Sequence, residues 1–114
     1  RNIGLYDGVK LVDKGRFDFT KDPKDIGKFK VPGLRNVALT APYMHDGRFA
    51  TLEEVIDFYN SDVAITVTID PNMHAMQKGL HLPAQAKSDL VAFLKTLTDS
   101  SFIANPKFAS PFTK

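Results

Sequence analysis

Apolar residues recur at helical spacing in two places along the chain. Leu52, Val55, Ile56 and Tyr59 fall at i, i+3, i+4 and i+7, so the spacing predicts a helix over 52–60 with these four on one face. The preceding Thr51-Leu52-Glu53-Glu54 reads as a capping box, in which the Thr51 hydroxyl and the Glu54 carboxylate satisfy each other's backbone N–H groups. A second helix is predicted over about 83–97, with Pro83 in its first turn, where a missing N–H costs nothing. Ala86, Leu90, Val91, Leu94 and Leu97 form its buried stripe, which leaves Lys87, Asp89 and Lys95 in water.

The remaining pattern is irregular. From Arg1 to about Val31, Gly4, Gly8, Gly15, Gly27 and Pro23 interrupt short polar and aromatic stretches without a sustained period. An arm of this length exceeds the roughly 12 to 15 residues usual for a structureless loop, which predicts that it wraps another surface. Leu34 to Leu39 suits a short helix, and Thr40 to Gly47 a tight, turn-rich loop. Val63, Ile65, Thr66, Val67, Thr68 and Ile69 form a β-branched run that reads as an extended connection rather than a true sheet. The tail from Asp99, with Pro106, Pro111, Phe102, Phe108 and Phe112, reads as an arm pinned by its rings. The fold class is therefore mainly α, one domain with long irregular arms.

The formal charge of +2 comes from 15 basic and 13 acidic residues scattered through the chain, without the basic stripe that nucleic acid requires. No apolar run approaches the roughly 18 to 20 residues of a membrane-spanning helix. The chain has no Cys, which excludes a disulfide or a thiolate metal site within these residues. It opens at Arg1 without Met and reads as an internal cut.

The densest cluster of unusual side chains is Arg35, Tyr43, Met44, His45, Asp46 and Arg48, beside the capped helix. His45 with Asp46 could act as an acid/base pair, or simply brace the loop. His74 and His81 stand seven residues apart, which is not the spacing of a helical zinc pair, and read as surface residues. Met44, Met73 and Met76 could each offer a thioether to haem iron or fill gaps in the core. Tyr59 reads by spacing as a core residue with a satisfied hydroxyl.

The stretch Phe29-Lys30-Val31-Pro32-Gly33-Leu34-Arg35-Asn36-Val37-Ala38-Leu39-Thr40-Ala41-Pro42-Tyr43-Met44-His45-Asp46-Gly47-Arg48-Phe49-Ala50-Thr51-Leu52-Glu53-Glu54-Val55 closely resembles the C-terminal haem domain of bacterial dihaem cytochrome c peroxidases and their MauG-like relatives. Asn2-Ile3-Gly4 and Leu90 to Thr98 keep the family's order, so the resemblance spans nearly the whole chain. It implies a cytochrome c-like haem domain in a periplasmic enzyme that couples two c-type haems and reduces hydrogen peroxide. The partners it implies are an upstream haem domain, a small redox donor such as a cytochrome or quinol, and a second copy in a homodimer.

In the peroxidases proper a Met fourteen positions after the His of this loop ligates the iron of this domain's haem, whereas MauG-type relatives carry Tyr there. Here that position is Tyr59. The resemblance thus makes Tyr59 the axial ligand, with Met44 or Met76 as the alternative, and places Met44 and His45 at the cofactor. A phenolate in place of a thioether stabilises ferric iron and lowers its potential, which opens a MauG-like oxidation of a protein or organic substrate beside peroxide reduction. A non-enzymatic haem electron-transfer module is a third reading. The resemblance further implies a Ca²⁺ bound by the backbone carbonyls of Thr40 and Pro42, and a haem propionate on Arg35, for which loop bracing is an equal alternative. The C-x-x-C-H attachment segment is expected upstream of Arg1, and this chain alone is expected to hold haem weakly and to be inactive.

Overall fold

The computed structural model describes residues 1–6, 12–76, 79–110 and 112. Gly8 and Pro111, assigned above to the arm and the tail, lie outside the described residues. Among the described residues five α-helices run in chain order: α1 (Phe17–Thr20), α2 (Leu52–Ser61), α3 (Pro71–Ala75), α4 (Ala84–Thr96) and α5 (Ser100–Ile103). Three single 3₁₀ turns sit at Pro23–Asp25, Val37–Leu39 and Pro106–Phe108.

Helix α2 begins where its capping box places it. The Glu54 N–H donates to the Thr51 hydroxyl at 3.2 Å, and the Glu54 carboxylate accepts from the N–H of Thr51 at 3.0 Å and of Ala50 at 2.6 Å. The buried residues of α2 are Leu52, Ile56 and Phe58. Phe58 is absent from the predicted face; Val55 and Tyr59, which are on it, are half-buried. In α4 Pro83 is the N-cap rather than the first helical residue, and Val91 is buried within the predicted stripe. Lys87 does not stand alone in water, because its ammonium donates to Asp57 on α2 at 2.7 Å and ties the two longest helices together.

The β-branched run pairs with no strand of its own. The amino-terminal arm satisfies it instead: the Ala64 N–H donates to the Gly4 carbonyl at 2.8 Å, and the Asp70 N–H to that of Asn2 at 2.9 Å. The Asn2 amide donates to the hydroxyls of Thr66 and Thr68 at 3.3 and 2.9 Å. Among the described residues, ladder pairing amounts to two isolated bridges, Gly15 with Lys28 and Tyr43 with Phe49. This agrees with an extended connection and no sheet.

Two expectations need correction. The arm contains α1 and the turn at Pro23–Asp25, elements of four and three residues that are too short to show a periodic pattern. The tail is not pinned by its rings: Phe102 and Phe108 pair with each other, 4.8 Å between centroids, while remaining 43% and 61% exposed. Its order comes from caps, with Asp99 accepting from the Phe102 N–H and Asn105 from the Lys107 N–H, each at 3.0 Å.

Candidate functional site

The centre of the molecule is an apolar cluster of buried Phe58, Val63 and Met73, with Ile3, Leu5, Met44, Phe49, Tyr59, Ile69 and Met76 packed around it. Five segments meet there: the arm, the 43–49 loop, helix α2, the extended connection after it and helix α3. Tyr59 thus shares one cluster with Met44 and Met76, the thioethers that the sequence offered as alternatives. Its ring meets Phe58 edge-on at 5.1 Å, and Phe58 lies 5.7 Å from Phe49. No hydrogen bond among the described residues reaches the Tyr59 hydroxyl, and burial raises its pKa above the usual value for a phenol. The expectation of a satisfied core hydroxyl is therefore not met.

The 43–49 loop closes on itself through the Tyr43 N–H, which donates to the Phe49 carbonyl at 2.7 Å, and the Tyr43 hydroxyl, which donates to the Val37 carbonyl at 2.8 Å. Met44 and Gly47 take left-handed backbone angles, φ 72° and 68°, to make the turn. The two members of the suspected acid/base pair make no direct hydrogen bond to each other among the described residues but share the Tyr6 hydroxyl, 3.0 Å from His45 Nε2 and 3.3 Å from Asp46. Asp46 accepts from Arg48 Nε at 2.8 Å and Nη2 at 2.6 Å. The guanidinium holds the Asp46 carboxyl below its ordinary pKa, and the carboxylate in turn raises that of Arg48. His45 stacks on Phe29, 3.7 Å between centroids, and its Nε2 lies 3.0 Å from the Tyr6 hydroxyl. Tyr6 has a raised pKa, through burial first and the Asp46 charge second.

Arg35 lies apart from this cluster. It is 69% exposed at its side chain and reaches Asp99 at 4.0 Å, where it braces the start of the tail. The adjoining Asn36 is buried, and its side-chain oxygen accepts from the Asp99 N–H at 2.6 Å, so this corner is a structural joint. Thr40 and Pro42 are exposed, and no described N–H donates to either carbonyl. His74 and His81 are exposed, as read from their spacing. Among the described residues no group of three or more His, Asp or Glu side chains could hold a metal ion, and no helix is long and apolar enough to cross a membrane.

Tyr6, Phe29 and Phe58 were missed by sequence reasoning. Nothing local marks Tyr6, because 39 residues separate it from His45. Phe58 breaks the four-residue stripe of α2 and is recruited by Val63 and Met73 beyond the helix end.

Comparison with known proteins places this arrangement. No family model matches the chain. It is 44% identical over 89 residues to cytochrome-c peroxidase IdrP1 of Pseudomonas sp. (strain SCT), an alignment covering 78% of this chain and 22% of that protein. It is 40% identical over 99 residues to the methylamine utilization protein MauG of Paracoccus denitrificans (strain Pd 1222), covering 72% of this chain and 26% of MauG. A solved structure of a MauG-like protein associated with microbial copper homeostasis superposes with a TM-score of 0.82 at 46% identity, over 98% of this chain and 38% of that one. The chain thus spans about a quarter of the length of the curated relatives it matches. It belongs to the family of bacterial cytochrome c peroxidases and MauG-like proteins.

Proposed function

We propose that these residues form the tyrosine-ligand side of a haem c site in a periplasmic dihaem oxidoreductase that reduces hydrogen peroxide, with electrons relayed through the haem of this domain. The observation that carries the reading is Tyr59: a half-buried phenol with no hydrogen-bond partner among the described residues, packed on the same apolar cluster as Met44 and Met76. A macrocycle needs such an apolar wall, and an iron needs one oxygen that the protein has not already engaged. The chain contains no Cys, so none of its residues can make the thioether bonds of c-type attachment. They suit an axial and wall role only.

When bound, the haem would supply one-electron redox chemistry at a potential set by its axial ligands. Tyr59 would offer its hydroxyl oxygen to the iron, giving up a proton as it binds. Met44 and Met76 would exclude water from that side, which strengthens the electrostatic interactions of the ligand oxygen. Arg35, exposed and held by a single long contact, is free to exchange Asp99 for a propionate. Ca²⁺, a small redox donor, an upstream haem domain and a second copy of the chain complete the proposal; the carbonyls of Thr40 and Pro42 accept from no described N–H and suit that cation.

A phenol in place of a thioether favours a second reading, MauG-like oxidation of a protein or organic substrate, because it disfavours the reduced iron. Steady-state turnover of the intact haem-loaded protein, with peroxide and a reduced cytochrome or quinol, separates the two. In the same protein Tyr59→Phe is expected to abolish the low-spin signature of this haem. An unchanged spectrum would remove Tyr59 from the iron.

A further inference from the structure

Arg48 joins two segments of chain that are distant in sequence, its own loop and residues 5–6 of the arm. Its Nε and Nη2 hold the Asp46 carboxylate at 2.8 and 2.6 Å, and its Nη1 donates to the Leu5 carbonyl at 3.1 Å. The guanidinium also lies over the Tyr6 ring, 4.7 Å from the centroid. The Tyr6 hydroxyl returns to Asp46 at 3.3 Å and meets His45 at 3.0 Å, and His45 is stacked on Phe29. A planar fork is needed for this. An ammonium could not meet both carboxylate contacts, the carbonyl and the ring face at once.

The cluster borders the proposed haem wall on two sides. Leu5, whose carbonyl Arg48 holds, and Met44, the neighbour of His45, both pack on the Phe58, Val63 and Met73 cluster that carries Tyr59. The first residues of the arm are anchored independently, by Asn2 on Thr66 and Thr68 and by the Gly4 carbonyl on the Ala64 N–H. Among the described residues no backbone N–H holds Leu5 or Tyr6; the contacts shown for them are Arg48 on the Leu5 carbonyl and the Tyr6 ring, Asp46 and His45 on the Tyr6 hydroxyl, and the apolar cluster on Leu5.

We propose that Arg48 is a positioning residue, which clamps Leu5 and Tyr6 against the 43–49 loop and so fixes the apolar wall that sets the approach of Tyr59 to the haem. The inference rests on the reading of Tyr59 as axial ligand. The contacts of Arg48 are to Asp46, the Leu5 carbonyl and the Tyr6 ring, so the effect proposed for it passes through Leu5 and the 43–49 loop.

The test uses the intact haem-loaded protein and reads the ratio of Tyr59-ligated to unligated haem by absorption and electron paramagnetic resonance. Arg48→Lys keeps the charge and loses the fork, and is expected to lower that ratio roughly fivefold to tenfold, as loss of the paired charge-assisted hydrogen bonds from Nε and Nη2 to Asp46 Oδ2 implies. Tyr6→Phe is expected to give a smaller loss, and the double variant less than the two losses combined, because both act through one cluster. Equal ratios in Arg48→Lys and the parent, with Tyr59→Phe abolishing the signal, overturn the role of Arg48 while leaving the ligand in place. If Tyr59→Phe leaves the signal unchanged, the ligand reading fails first and the inference with it. Strict additivity of Arg48→Lys and Tyr6→Phe also counts against a single clamp.

Discussion

Gly4→Ala should be among the most damaging single-methyl changes in the chain. Gly4 is buried and has φ 72°, and its carbonyl accepts from the Ala64 N–H at 2.8 Å. A Cβ there would collide with the Ala64 carbonyl oxygen and stand 2.9 Å from Val63 Cγ1 and 3.0 Å from the Ala64 nitrogen. The left-handed backbone costs an L-residue about 1 to 2 kcal/mol. Pushing the arm away loses a backbone hydrogen bond worth about 1 kcal/mol and disturbs Val63, the most buried residue of the core at 2% exposure. The stiffer unfolded chain returns roughly 0.4 to 1 kcal/mol. The net loss is about 1 to 2.6 kcal/mol before the disturbance of Val63 is added, which for a domain of this size lowers the midpoint by about 4 to 10 °C or more. Thermal unfolding followed by circular dichroism at 222 nm measures it. Gly33→Ala is the control, since its Cβ would meet nothing within 4 Å, and it should be neutral or slightly stabilising. A loss under about 1 kcal/mol for Gly4→Ala, or equal losses at the two positions, would refute the account of how the arm is seated.

Three further outcomes follow from the geometry. Thr51→Ala should cost about 1 kcal/mol by removing the cap of α2, and Thr51→Ser should restore most of it in the same unfolding assay. The lowered pKa of Asp46, caused first by the Arg48 hydrogen bond, contributes stability that is present above the carboxyl's ordinary value and is lost as pH falls through its depressed one; Asp46→Asn should flatten the acid limb of a stability profile. Lys87→Ala should cost about 0.5 kcal/mol or less, an effect that shrinks with added salt, because the pair with Asp57 faces solvent.

Elements that act over three or four residues were legible in the chain. The capping box of α2, helix α4 and the extended run after Ser61 are each set by neighbouring side chains and backbone groups, and each was found where it was expected, although of the stripe predicted for α4 only Val91 is buried and the other four residues are half-buried. What could not be read lies in contacts across long stretches of chain. Tyr6 reaches His45, Arg48 reaches Leu5 and Asn2 reaches Thr68, with separations of 39, 43 and 66 residues. His45 with Asp46 suggested a pair because they are adjacent, yet each finds a better partner elsewhere: a forked cation for the carboxylate, and a phenol and a ring for the imidazole. Tyr59 shows the converse. Its place on the apolar face was legible, but that no described residue hydrogen-bonds its hydroxyl became visible only in three dimensions.

The exposed surface bears on the proposal as a whole. The chain presents 8348 Å² to solvent. A compact monomer of 12.7 kDa presents about 6,200 Å². The excess, about 2,100 Å², is the area of a large protein interface. Leu34, Leu39, Phe93, Ile103 and Phe108 are each more than half exposed. The proposed haem and upstream domain would cover these residues, and their binding would then stabilise the folded chain by mass action. Residues 1–114 expressed alone should therefore unfold at least about 10 °C below the same residues in the haem-loaded intact protein, and should bind a hydrophobic dye such as ANS that the intact protein excludes. Equal midpoints and no dye binding would mean that this surface is stable in water as it stands, and that the uncovered residues are not waiting for a partner.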